Sequence, residues 1–348
     1  MNRVLLGSGL AGVLALSGAT VAQDKTPADA AKLLTPAAAL NLRSISDLQF
    51  SPDGARVAFV LTEPPKAERR ARHIWVYDKK AGAVRQFTFS PKDESSPRWS
   101  ADGKQLAFLS NRDEQQQIYI MRADGGEAAA LTKGKRSVRS FAWSPDGKQI
   151  AYTAVFSNEN YSAIYRKASD GSGQEELLYK HTPGSAVFIT DWSVDGRLCF
   201  WSGDVIYALP VDGDRKPVVL FSGFGARGGR FSPDGRYLAY SSNPSGRFET
   251  YVAPLDNPAQ KPLQMSKDGA LGGIFWRQDS KELYFMALVG LAPNGVMVVD
   301  LTVGPELQAG TPRLLFRPAV NSPAQLSNIA TRDAERFVFL TQPPAPAR

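Results

Sequence analysis

Trp143-Ser144-Pro145-Asp146-Gly147 reads as a tight turn. Proline presets the first central position of a type I turn, aspartate suits the second, and glycine accepts the left-handed conformation that closes a hairpin. The same pattern recurs along the chain as Phe50-Ser51-Pro52-Asp53-Gly54, Trp99-Ser100-Ala101-Asp102-Gly103, Trp192-Ser193-Val194-Asp195-Gly196 and Phe231-Ser232-Pro233-Asp234-Gly235. Two degenerate copies follow, Trp276-Arg277-Gln278-Asp279-Ser280 and Ala330-Thr331-Arg332-Asp333-Ala334. Successive aspartates lie 49, 44, 49, 39, 45 and 54 residues apart. Spacings of this size fit one four-stranded blade per copy. Ser280 and Ala334 stand where glycine is expected, and if those turns keep the geometry each costs on the order of 1 kcal/mol.

Each turn leads into a short apolar strand, such as Val57-Ala58-Phe59-Val60, Leu106-Ala107-Phe108-Leu109 or Leu198-Cys199-Phe200-Trp201. Alternating small and large residues suit a tapering, radially packed core. A third strand follows in six copies, from Ile74-Trp75-Val76-Tyr77 to Val296-Met297-Val298. A fourth ends in Leu131-Thr132, Leu177-Leu178-Tyr179, Val219-Leu220-Phe221 or Leu314-Leu315-Phe316. The expected fold class is all-β, a β-propeller of four-stranded antiparallel blades over residues 44–341. Seven blades is the simplest count, with the last begun by the C-terminal strands. Six and eight stay open. Two readings of the stretch before the first copy also stay open. Ala30-Ala31-Lys32-Leu33-Leu34-Thr35 could be a closing fourth strand, or Thr35 and Pro36 could start a helix through Leu42.

The Ser-Pro-Asp-Gly turns, the stretch Asn111-Arg112-Asp113, the pair Ile118-Tyr119 and the ending Leu131-Thr132 resemble the propeller repeats of TolB. The same repeats build the propellers of prolyl-oligopeptidase-family enzymes, including dipeptidyl peptidase IV-like proteins. The resemblance runs over roughly residues 36–340. It implies a propeller and, as in TolB, contact with protein partners of the cell envelope. Residues 23–43 are too few for the separate N-terminal α/β domain that TolB carries.

Composition narrows the chemistry. The 348 residues carry a formal charge of +7, with one cysteine and two histidines. A lone Cys199 excludes an internal disulfide, zinc fingers and iron–sulfur sites. A triad enzyme of the prolyl-oligopeptidase type needs a Gly-x-Ser-x-Gly nucleophile elbow, and the sequence has none. His73 opens a third strand and His181 reads as a loop residue, so neither is placed as a catalytic base. The turn aspartates are spread one per blade, so they offer neither a calcium cage nor a paired acid and base. The expectation is a protein with no enzymatic activity, no metal and no cofactor. A protein that binds no nucleic acid is also expected, since no recognition motif is present.

Arg3, the apolar run Val4–Leu16 and the small residues Ser17 to Ala22 read as a signal peptide over residues 1–22, cleaved after Ala22. That places the chain in the periplasm or outside the cell, with residues 23–43 a linker and 342–348 a tail. No other apolar run approaches membrane-spanning length.

Propellers bind through their loops and funnel. One face should gather the second-to-third-strand loops and the loops between blades. There the sequence places Arg69, Arg70 and Arg72, then Lys133, Lys135, Arg136 and Arg139, then Lys180, and then Arg227 and Arg230. The expected site is an electropositive rim that attracts a protein or peptide partner, an acidic segment being the natural complement. Ordinary solvated loop charge is the competing reading. Two alternatives accompany this one: a detached propeller assisting a separate hydrolase, and a propeller enzyme acting on a small molecule or glycan.

Overall fold

The structure is a computed structural model. It describes residues 3–8, 12–16, 43–65, 69–155, 161–181, 186–257, 260–270, 272–289, 292–302, 306–317 and 330–341. Ala30–Thr35 and the alternative helix through Leu42 lie outside them. The described residues contain strands and no helix, so no helix there could cross a membrane.

The chain folds as an all-β propeller. Blade I is built from Ser44–Phe50, Arg56–Thr62, Arg72–Asp78 and Ala83–Gln86. Blade II uses Glu94–Trp99, Gln105–Asp113, Gln115–Arg122 and Ala129–Ala130, and blade III uses Ser137–Trp143, Gln149–Val155, Ser162–Ala168 and Glu176–His181. Blade IV comprises Val187–Trp192, Arg197–Ser202, Val205–Pro210 and Val218–Ser222. Blade V comprises Arg227–Phe231, Tyr237–Ser242, Glu249–Pro254 and Leu263–Gln264. Blade VI pairs Phe275–Trp276, Glu282–Val289 and Ala292–Thr302, and its outer edge is shared by Gln308–Ala309 and Arg313–Phe316. Neighbouring strands within each blade are antiparallel and sequential. The motif turns and the third-to-fourth-strand turns therefore share one face of the ring, and the remaining loops share the other.

Among the described residues six complete blades are present, the lowest of the open counts, where the number of motif copies suggests seven. Of the seventh copy the described residues form the hairpin 330–341. Ala330 bridges Phe337, and Arg336–Thr341 pairs with Arg3–Ser8, which pairs in turn with Gly12–Leu16. This three-stranded sheet thus draws on the stretch read from sequence as a signal peptide.

The motif has a hydrogen-bonding logic that extends beyond proline and glycine. The serine is buried in every full copy. Ser144 Oγ donates to Asp146 Oδ1 (2.6 Å) and accepts from the Gln149 amide (2.9 Å), while Asp146 Oδ1 accepts from the Lys148 amide (3.0 Å). Ser100, Asp102, Lys104 and Gln105 repeat the arrangement. All seven closing positions are left-handed, from Gly54 (φ 63°) to Ser280 (φ 61°) and Ala334 (φ 59°). Relief of that strain makes Ala334→Gly stabilising by about 0.5–1 kcal/mol, after the entropy that glycine adds to the unfolded chain. Urea unfolding measures this, and a destabilised variant would refute the reading.

Thr88, Thr132 and Ser266 close the fourth strands of blades I, II and V. Their hydroxyls accept from the amides of Ile74, Ile118 and Thr250, each at 2.9 Å. Two of these strands, in blades I and V, are short and polar, so the sequence pattern did not reveal them. Blades meet through apolar faces. Ala58, Ile74 and Phe87 of blade I pack on Trp99, Leu106 and Phe108 of blade II, and the remaining interfaces repeat this scheme.

Candidate functional site

The inner strand of each blade sits at the end of its sheet, so one edge faces the ring axis. These edges enclose a cavity of about 790 Å³. Its mouth on the motif-turn face is formed by the residue after each motif serine or its equivalent: Pro52, Ala101, Pro145, Val194, Pro233, Gln278 and Arg332. Further in, the residue before each motif aromatic lines the wall. Those residues are Gln49, Arg98, Ala142, Asp191, Arg230 and Phe275.

The motif tryptophans hold this wall in place. Trp99 Nε1 donates to the Gln49 carbonyl (3.2 Å), Trp143 Nε1 to the Arg98 carbonyl (3.1 Å) and Trp276 Nε1 to the Arg230 carbonyl (3.1 Å). Each indole thus reaches back one blade and fixes the backbone of a wall residue. A buried indole N–H needs such a partner. This explains why tryptophan rather than leucine opens these motif copies.

Four arginines and one aspartate line the cavity: Arg98, Arg139, Arg230, Arg332 and Asp191. Arg98 Nη1 donates to Asp47 Oδ1 (3.0 Å) and to the Pro97 carbonyl (2.8 Å). Asp191 lies 4.0 Å from Arg230 Nη1, and both side chains are 26% exposed at the cavity wall. The oxygens of Asp191 accept instead from the amides of Trp192 (3.0 Å) and Phe231 (2.8 Å). Burial raises the Asp191 pKa above the ordinary carboxylate value, against the pull of Arg230 and these amides. Burial likewise holds the Arg230 guanidinium below its ordinary value. Asp191 opposes that shift, and the like charge of Arg98 adds to it. The Arg139 guanidinium lies 5.5 Å over the Phe188 ring, which stacks on Trp201 with centroids 4.7 Å apart. The cavity wall therefore offers guanidinium forks, aromatic faces and the axis-facing edges of the inner strands.

The ten basic residues selected from the sequence divide between places. Arg139 and Arg230 line the cavity. Arg69 and Arg72 lie on the loop face and pair with Asp93 at 3.3 and 3.5 Å, with the half-buried Arg70 between them in sequence. Lys133 and Lys135 are exposed between blades II and III. Arg136 pairs with Glu175 and lies 4.5 Å over Tyr165. Lys180 sits 3.7 Å over Tyr161, and Arg227 lies 3.9 Å over Phe248. Arg98, Asp191, Arg332, Phe188 and Trp201 line the cavity without belonging to those basic loop clusters. The signal for Arg98, Asp191 and Arg230 was their shared position one residue before the motif aromatic.

The histidines take structural places. His73 Nδ1 is 3.1 Å from Glu94 Oε2, and Glu94, with a fully buried side chain, also receives Arg112 at 2.5 Å. His181 ends the last strand of blade III rather than lying in a loop, and packs beside Tyr179, Phe200 and Tyr207. Burial pushes its pKa down.

The family model of the TolB beta propeller domain matches residues 43–186. The uncharacterized peptidase YuxL of Bacillus subtilis (strain 168) is 39% identical over 103 residues, 29% of this chain and 16% of the relative. Dipeptidyl-peptidase 5 of Porphyromonas gingivalis is 24% identical over 314 residues, 73% of this chain and 46% of the relative. The chain thus spans less than half the length of either curated relative. Among solved structures, TolB from Acinetobacter baumannii superposes with a TM-score of 0.50 at 19% identity, covering 74% of this chain and 61% of TolB, which is a likeness of fold.

Proposed function

We propose that this propeller is a non-enzymatic binding module that takes a segment of a protein or peptide partner into its central cavity. The observation that carries the reading is the cavity wall. The inner strands there turn one edge to the ring axis with no further strand beside it, the kind of edge to which extended chains add. Guanidinium and aromatic side chains between them supply the side-chain contacts that anchor protein partners. The match to the TolB propeller domain over residues 43–186 supports the same direction.

The apolar stretch Val4–Leu16 and the small residues up to Ala22 support export to the periplasm or beyond. Cleavage there would remove the strand that pairs with Arg336–Thr341 together with the strand beside it. N-terminal sequencing of protein from an exporting cell tests this, and a start at Gln23 is the expected result.

Two relatives are named as peptidases, which favours a second reading in which the propeller serves a hydrolase. A fluorophosphonate probe for serine hydrolases separates catalysis from binding. The expected result is no labelling of the purified chain, together with a partner protein recovered by crosslinking in the exporting cell. Labelling that a serine substitution abolishes would replace the binding reading with a catalytic one.

A further inference from the structure

We infer that Arg98 and Arg230 form a clamp for a single carboxylate of the bound peptide, an aspartate or glutamate side chain. The inference rests on the peptide-binding reading above and names what the cavity selects. Blades II and V each contribute one arginine at the same motif position, and both line the same cavity. Both side chains face this one cavity, and the like charge of Arg98 disfavours the charge on Arg230. Like charges brought together at a cavity wall cost free energy that an anion between them relieves.

The existing carboxylates leave capacity on both arginines. Among the described residues Arg230 makes no hydrogen bond through its guanidinium, because Asp191 stands 4.0 Å away and spends its oxygens on the Trp192 and Phe231 amides. Arg98 uses only Nη1, on Asp47 and the Pro97 carbonyl, so its Nε and Nη2 remain available among those residues. Both side chains keep access to the cavity, at 27% and 26% exposure. Their backbones are fixed by Trp143 and Trp276, so both side chains start from anchored points on the wall. Planar guanidinium forks match the two oxygens of a carboxylate. A peptide fits better than an acidic glycan, because five of the seven mouth residues, Pro52, Ala101, Pro145, Val194 and Pro233, are apolar. Apolar side chains flanking an acidic residue complement that mouth, whereas sugar hydroxyls would lose hydrogen bonds to water there.

The test probes the full chain with an array of mixed-sequence octapeptides, acetylated and amidated so that no terminal charge remains. The tightest binders are then measured by fluorescence anisotropy beside versions carrying Gln for Glu and Asn for Asp. Binders should contain an acidic residue, and the amide versions should bind about tenfold or more weakly. Arg98→Gln should remove that preference, so that the acid and amide versions bind alike. Arg230→Gln is made together with Asp191→Asn, so that no buried carboxylate is left alone, and should behave the same way. A thermal melt of each variant confirms folding, and Arg230→Lys, which keeps charge without the fork, should retain part of the preference. Binders indifferent to the acid-to-amide change overturn the clamp and leave peptide binding standing. An array without binders overturns both readings. A trigalacturonate probe that binds in an Arg98-dependent way while acidic peptides do not would assign the clamp to a glycan and overturn the peptide assignment.

Discussion

Phe337→Ala is expected to destabilise the fold by about 3–5 kcal/mol, the range for a large aromatic removed from a packed core. Phe337 is 2% exposed and belongs to the seventh motif copy. Its ring lies between elements distant in sequence: Tyr284 and Phe316 of blade VI, at centroid distances of 5.6 and 5.2 Å, share one apolar cluster with Leu48, Phe50, Val57 and Phe59 of blade I. The incomplete seventh repeat is therefore the wedge that joins the last blade to the first. Its loss opens the ring at the one joint where the two ends of the propeller meet. Arg332, on the same hairpin and at the cavity mouth, is displaced with it, so ligand affinity should fall along with stability. Urea unfolding gives the first quantity and anisotropy the second. Phe89→Ala is the control, since Phe89 is 75% exposed and its loss should change stability by less than about 0.5 kcal/mol. A Phe337→Ala change below about 1 kcal/mol would show that the ring closes by other contacts.

Gly229→Ala should be the second large effect, at about 1–3 kcal/mol of destabilisation from overpacking. A Cβ on Gly229 would stand 2.5 Å from Cys199 Sγ, 3.3 Å from Leu238 Cδ1 and 3.4 Å from Ile206 Cγ2. The requirement for glycine is steric, because Gly229 is not among the glycines with positive φ. Cys199 cannot move aside easily. It is fully buried on the second strand of blade IV, against the inner strand of blade V. Burial also pushes its thiol pKa up to about 12, so it should resist thiol reagents in the native protein. The decisive comparison is the double variant Cys199→Ala/Gly229→Ala. Removing the sulfur vacates the space that the new methyl group needs, so the pair should be more stable than Gly229→Ala alone. A strictly additive double variant would show that the strain lies elsewhere. Gly229 directly precedes Arg230, so the same shift should also disturb the arginine at the cavity wall.

The two halves of the site differed in how visible they were beforehand. The arginines of the loop face are conspicuous in sequence because they cluster, as in Arg69, Arg70 and Arg72. Clustering along the chain, however, says little about free charge: Asp93, from the next blade's approach, pairs with two of the three. Arg98 is inconspicuous, a single basic residue between Pro97 and Trp99. Its role follows from its position in the repeat, which it shares with Arg230 more than a hundred residues away. Position within the motif was therefore a better guide to the cavity wall than charge density along the chain.

The turn period was determined by the sequence alone, and with it the all-β fold. The reason is local: serine, aspartate and a closing residue that tolerates positive φ satisfy one another's hydrogen bonds within about six residues, so no distant contact is needed to form the turn. Blade count, ring closure and the composition of the cavity were decided only by the tertiary structure. Each depends on residues one or several repeats apart meeting at a common axis. That meeting is set by how apolar faces such as Phe337 wedge between blades and by how each tryptophan reaches back to its neighbour.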